Sequence, residues 1–128
     1  MSAEPVALLV EDDAFLVLQL EDEFTAAGFE IYSALHGTAA VSEIDSAPNK
    51  FFCLVADIAL GNTIDGWAVA RHARLRNPDI IVIYITGQRF DDWESRGVSD
   101  SMLLNKPLQA GQLVSAVIEM MHRRNQVA

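Results

Sequence analysis

Phe51-Phe52-Cys53-Leu54-Val55-Ala56 runs without a polar break into the carboxylate of Asp57. A strand with one wet face alternates apolar and polar residues; this one does not, so it reads as a strand buried on both faces. Such a strand needs a covering layer on each side. Asp57 then stands at the strand's carboxyl end. Ligands of open parallel sheets bind outside those ends, which makes Asp57 a candidate site residue. Taken alone, it reads more readily as a loop or capping residue. What stands at the ends of the other strands decides between the two.

Four further strands are read along the chain. Val6 to Val10 ends in Glu11-Asp12-Asp13, and Phe29 to Ala34 forms a second strand. Ile80 to Ile85 ends at Thr86-Gly87, and Ser101 to Asn105 precedes Lys106-Pro107. Helical spacing recurs between them. A helix is predicted over Ala14 to Ala27, capped by Asp13 and stopped by Gly28, with Leu16, Leu20, Phe24 and Ala27 as its core stripe. Gly37-Thr38 opens a short helix holding Ala40, Val41 and Ile44, closed by Pro48-Asn49. After a loop from Ile58 to Ile64, Asp65-Gly66 starts a third, with Trp67, Val69, Ala70 and Ala73 inward. Arg71, His72, Arg74 and Arg76 are read as its solvated outer face. The polar segment Gln88 to Ser99 is expected to hold a short fourth helix. The closing helix runs from Gln109 to about Arg124, with Leu113, Ala116, Val117 and Met120 as its stripe and Val114, Ile118 and Met121 widening it to one side.

Strands alternating with helices imply βαβ units, right-handed crossovers and a parallel sheet. The expected fold is a flavodoxin-like, doubly wound five-stranded parallel sheet of order 2-1-3-4-5 with five helices, in a single domain over residues 1–128. Fold alone does not give function.

Composition limits the partners. A hydrophobic content of 51% supports a full core, and a net charge of −9 argues against nucleic acid. No apolar run is long enough to cross a membrane, and Met1 to Pro5 lacks the basic region of a signal peptide, so a cytoplasmic location is expected. Cys53 is the only cysteine, which fits a reducing compartment, and its place in the apolar run is that of a small buried hydrophobe. His36, His72 and His122 are scattered and read as surface residues. There is no zinc-type spacing, glycine-rich phosphate loop or internal repeat.

The strand ends now form a constellation: Glu11 and Asp12, then Asp57, Thr86 and Lys106, all on one edge of the proposed sheet. Three carboxylates in one cleft repel each other unless one is protonated or a cation intervenes. Hard oxygen ligands with room for water suit Mg2+. Lys106 is a second source of charge balance, and the Thr86 hydroxyl can donate to an oxyanion. The chemistry this favours is phosphoryl transfer, with a carboxylate as nucleophile forming an acyl phosphate.

In order and strand-end placement the chain resembles a receiver domain of a two-component response regulator. Leu8-Leu9-Val10-Glu11-Asp12-Asp13, Val55-Ala56-Asp57, Asp65-Gly66, Ile85-Thr86-Gly87 and Lys106-Pro107 carry the resemblance, which covers nearly the whole chain. It implies that Asp57 is the phosphoacceptor and that Asp12 is a metal ligand, with Glu11 beside it. It implies further that the Ala59 backbone carbonyl completes the Mg2+ shell, and that Thr86 and Lys106 are the switch hydroxyl and the phosphoryl-pairing lysine. The Lys106–Pro107 bond is often cis in such domains. The implied partners are a sensor histidine kinase or histidine phosphotransfer protein and a downstream protein, and the implied catalysis is limited to the domain's own phosphorylation and dephosphorylation. A monomer, or a weak dimer through the last helix, is expected, with no effector domain in the chain.

Three departures stand out. The loop from Ile58 to Ile64 lacks the family's usual proline and is one residue longer than typical. Leu103 occupies the place of the aromatic switch residue, three before Lys106, and the segment between Thr86 and Lys106 is short. Tyr84, two before Thr86, resembles a subgroup of single-domain receivers that lack the switch aromatic. The signal is therefore expected to travel through reordering of Gln88 to Ser99. Phe15 and Leu18 are expected to meet a kinase's histidine domain, the alternative being that they widen the core contact. Competing readings are a flavin module, disfavoured by the acidic run after the first strand; an aspartate-nucleophile phosphatase, disfavoured by short connections; and a pseudo-receiver that binds partners without phosphorylation.

Overall fold

The computed structural model describes residues 4–61, 64–88 and 93–126. Five strands, β1 (Val6–Val10), β2 (Glu30–Ala34), β3 (Cys53–Asp57), β4 (Ile81–Thr86) and β5 (Ser101–Asn105), alternate with helices α1 (Ala14–Ala26), α2 (Gly37–Ser46), α3 (Gly66–Arg76), α4 (Trp93–Arg96) and α5 (Gln112–Gln126). All strand pairs are parallel, in the order β2-β1-β3-β4-β5, as expected. Residues 89–92, within the segment expected to hold the fourth helix, lie outside the described residues.

The two-residue period of the strands divides the core into two layers. Leu8, Val10, Leu54, Ala56, Val82 and Tyr84 point to one side, where Ala40 and Ile44 of α2 and Trp67, Val69, Ala70 and Ala73 of α3 cover them. Leu9, Cys53, Val55, Ile81, Ile83 and Ile85 point to the other, under Val17, Leu20 and Phe24 of α1 and Leu113, Ala116, Val117 and Met120 of α5. The central strands β3 and β4 are buried at every position, which is why their sequences show no alternation.

Several sequence expectations are corrected in detail. In α1 the stripe is Val17, Leu20 and Phe24; Leu16 is half-buried, and Ala27 is an exposed C-cap residue. Phe51 and Phe52 precede β3 rather than belonging to it, and α5 starts at Gln112. Val114 is buried and Met121 half-buried against the core, so only Ile118 of the three widening residues is exposed. Arg74 is not part of a solvated face. Its guanidinium donates to the carbonyls of Ile80 at 2.7 Å, Ser99 at 2.7 Å and Asp100 at 3.3 Å, tying the starts of β4 and β5 together. Burial lowers its pKa from the ordinary arginine range. His72 is half-buried and, with Arg76, meets Asp45 Oδ1, linking α3 to α2. His36 is exposed as expected, but its Nδ1 accepts the Ala39 N–H and caps α2.

Candidate functional site

Register sets the level of each site residue. Val10 pairs with Ala56, Asp57 with Ile85, and Thr86 with Asn105. Glu11, Asp57, Thr86 and Lys106 therefore leave the sheet at nearly the same height on its carboxyl edge. Each is then held by local chemistry. Asp13 caps α1, its Oδ1 accepting the N–H groups of Phe15 and Leu16, which fixes the turn carrying Glu11 and Asp12. Glu11 Oε2 accepts the Asp13 N–H at 3.1 Å. Asp57 Oδ1 accepts the Ala59 N–H at 3.0 Å, pinning the first turn of the following loop to the carboxylate. Asp65 caps α3 through the Ala68 N–H at 2.9 Å. Gly66 beside it is required by space, because a Cβ there would fall 2.3 Å from the Asp57 carbonyl oxygen.

The structure brings Glu11, Asp12 and Asp57 together. One carboxylate oxygen from each lies within 4.8 Å of the others. Glu11 is fully buried, Asp57 is 5% exposed, and Asp12 faces solvent. Lys106 Nζ lies 2.8 Å from Asp57 Oδ2 and 2.6 Å from Glu11 Oε1, so it bridges the two buried carboxylates. The Asp57 contact is an aligned hydrogen bond. The Glu11 contact is close in charge but poorly aligned, leaving Glu11 Oε1 buried without a well-directed donor.

Burial pushes the Glu11 carboxyl up to about 7, with Lys106 and the Asp13 N–H pulling the other way and the Asp57 charge adding to the rise. For Lys106, burial works against the charged form, but the contacts to Asp57 and Glu11 outweigh it and the pKa rises. Three carboxylates thus share one ammonium. The donor set is hard oxygen, one oxygen is buried and poorly satisfied, and Asp12 opens to water; these residues fit a small divalent cation that keeps part of its hydration shell.

Thr86 is fully buried within β4, one residue beyond the predicted end of that strand. Its Oγ1 accepts the Gln88 N–H at 3.0 Å, which leaves its own proton available for donation. Its carbonyl accepts the Lys106 N–H at 2.8 Å, coupling the two residues through the backbone. The Lys106–Pro107 bond is cis. Leu103 is half-buried, whereas Tyr84 is fully buried. The Tyr84 ring packs 4.7 Å from that of Trp67, and its hydroxyl accepts the Val98 N–H at 3.0 Å. Sequence reasoning noted Tyr84 but missed this bond, which joins β4 to the segment after α4.

An acidic pocket bridged by a lysine at the carboxyl edge of a 2-1-3-4-5 parallel sheet defines a class of signalling domain. Residues 7–118 match the response regulator receiver domain, and the chain belongs to that family of two-component systems. A response regulator receiver protein from Sinorhizobium medicae WSM419 superposes with a TM-score of 0.89 at 36% identity, over 94% of this chain and 97% of that one. The response regulator receiver protein CpdR of Brucella abortus is 31% identical over 120 residues, covering 89% of this chain and 94% of that protein. The sensor kinase CckA of Brucella abortus is 24% identical over 127 residues, but the chain spans only 13% of its length. It spans 53% of a mycobacterial transcriptional regulatory protein that is 28% identical. No helix among the described residues is long and apolar enough to cross a membrane.

Proposed function

We propose that the chain is a phospho-accepting switch in which Asp57 takes a phosphoryl group from a phosphohistidine on a sensor histidine kinase or a histidine phosphotransfer protein. The observation that carries this is the Asp57 carboxylate, nearly buried at the strand end, oriented by Ala59 and Lys106 and flanked by two further carboxylates. An Asp57 oxygen attacks phosphorus, an O–P bond forms, the P–N bond breaks, and the imidazole departs with the electron pair. Glu11, Asp12, Asp57 and the Ala59 carbonyl would hold Mg2+, which when bound offsets the negative charge that otherwise repels the incoming phosphoryl group.

The chain's own residues do the rest. Lys106 moves its charge from the Asp57 carboxylate to a phosphoryl oxygen, and the Thr86 hydroxyl donates to another. Both shifts alter groups bonded to β4, β5 and Gln88, so chemistry at Asp57 reaches the face where α4 and β5 lie. That face, read by a downstream protein or by onward phosphotransfer, is the output. On the input side, Phe15 and Leu18 of α1 are 86% and 61% exposed, so they do not widen the core contact. They give α1 an apolar face beside the acidic rim, suited to the helices that carry a donor histidine.

Intact-mass measurement after incubation with acetyl phosphate and Mg2+ tests the reading. One phosphoryl group is expected on the wild type and none on Asp57→Asn or in excess chelator. An undiminished shift in Asp57→Asn would sink it.

A further inference from the structure

The loop between β3 and α3 carries no proline. It is anchored at its start by the Ala59 N–H on Asp57 Oδ1 and by burial of Ile58 and Leu60. At its far end Ile64 packs against the core beside α2. There it meets Gly37, the buried first residue of that helix. A Cβ on Gly37 would lie 2.4 Å from the Ile64 carbonyl oxygen and 2.8 Å from Ile64 Cβ, separations that real Cβ atoms essentially never show. Backbone atoms would have to part by about 1 Å to restore ordinary contact. Gly37 does not have a positive φ, so its backbone torsion does not require glycine. Alanine is also the better helix former. A local preference overridden in this way calls for a tertiary reason, and the close approach of Ile64 is that reason.

We propose that Gly37 is a positioning residue for the acceptor loop: its missing side chain lets Ile64 seat against α2 and so holds the loop that carries Ala59. The proposal rests on the reading that Ala59 joins Glu11, Asp12 and Asp57 in holding Mg2+. Because the Ala59 N–H also fixes Asp57 Oδ1, a shift of the loop is felt at the acceptor carboxylate itself.

The test is Mg2+ binding by calorimetry on the full chain without a phosphodonor, with melting in chelator measured alongside. Gly37→Ala is expected to weaken Mg2+ binding about tenfold, the scale on which supports of metal ligands act. Ile64→Ala introduces no clash but loosens the same contact from the other side, and is expected to weaken binding in the same direction. It decides the matter alone if Gly37→Ala does not fold. Ile44→Val, buried on the same helix, is expected to lower the melting temperature yet leave the Mg2+ affinity within about twofold, since it leaves the close approach of Gly37 and Ile64 unaltered. Unchanged affinity in both loop variants, with Gly37→Ala melting higher as a free helix position would, overturns the proposal. So does an equal loss of affinity in Ile44→Val. A wild type that binds no Mg2+ sinks the metal reading first and this proposal with it.

Discussion

Replacing Lys106 by methionine tests the charge balance of the site most directly. The side chain keeps its length and apolar stem and loses the ammonium that lies 2.8 Å from Asp57 and 2.6 Å from Glu11. Removing one partner of a fully buried ion pair costs about 3–5 kcal/mol, because the other charge stays behind unpaired. Lys106 retains 23% of its side-chain exposure, so water already screens part of the interaction and the lower figure must be discounted to about 2 kcal/mol. For a domain of this size that is a fall in Tm of roughly 6–10 °C at pH 7 in chelator.

The pH dependence has a definite sign. Glu11 titrates higher in the fold than in the unfolded chain, so the stability its protonation contributes is complete below its ordinary value of 4.5 and is lost as pH rises through about 7. The deficit of Lys106→Met should therefore shrink as the pH is lowered toward 5. It should shrink also at pH 7 when Mg2+ is added, because a bound cation supplies the missing positive charge. Thermal melts of wild type and variant in chelator, at pH 5 and 7, and in Mg2+ decide it. A variant as stable as wild type at pH 7 without metal would refute the view that Lys106 compensates the two buried carboxylates.

Four further outcomes are expected. Leu18→Glu should slow phosphoryl transfer from the cognate kinase far more than from acetyl phosphate; equal slowing with both donors would point to misfolding. Arg74→Met removes the donors to three carbonyls, each bond worth about 1 kcal/mol net, and should lower the Tm and speed amide exchange at the start of β5; unchanged exchange there would show the staple to be redundant. Tyr84→Phe, which deletes only a hydroxyl, should cost about 1 kcal/mol and raise exchange at Val98 while leaving acetyl phosphate labelling intact; an unaltered Val98 amide would count against the bond. Beryllofluoride with Mg2+ should change amide exchange across Gln88 to Ser99, and changes confined to Leu103 and α5 would place the switch in the wrong element.

Phe15 and Leu18 show how far periodicity reaches. Their spacing put them beside the α1 stripe, but only the packed helix decided that they face solvent while Val17 goes inside. Strands β1, β3 and β4 were legible because deep burial writes an apolar run, alternation with helices implied a parallel sheet, and its order was expected from likeness to the flavodoxin-like fold. The site residues were legible for a related reason: a strand that ends in a carboxylate, a threonine or a lysine places it on the ligand-binding edge whatever the loops do. Glu11, Asp12, Asp57, Thr86 and Lys106 were placed together on that edge in this way. Contacts between residues far apart in the chain were not legible. Arg74 looked like one of four basic residues on a wet face, because nothing in its local pattern reveals that the carbonyls of Ile80, Ser99 and Asp100 converge beneath it. The capping role of His36, the hold of Tyr84 on Val98 and the 2.4 Å gap that forbids a side chain at Gly37 belong to the same class. Hydrophobic period and strand-end chemistry are local and can be read one segment at a time. Which backbone groups lack a partner, and which surfaces touch, is set only when the layers close on the sheet.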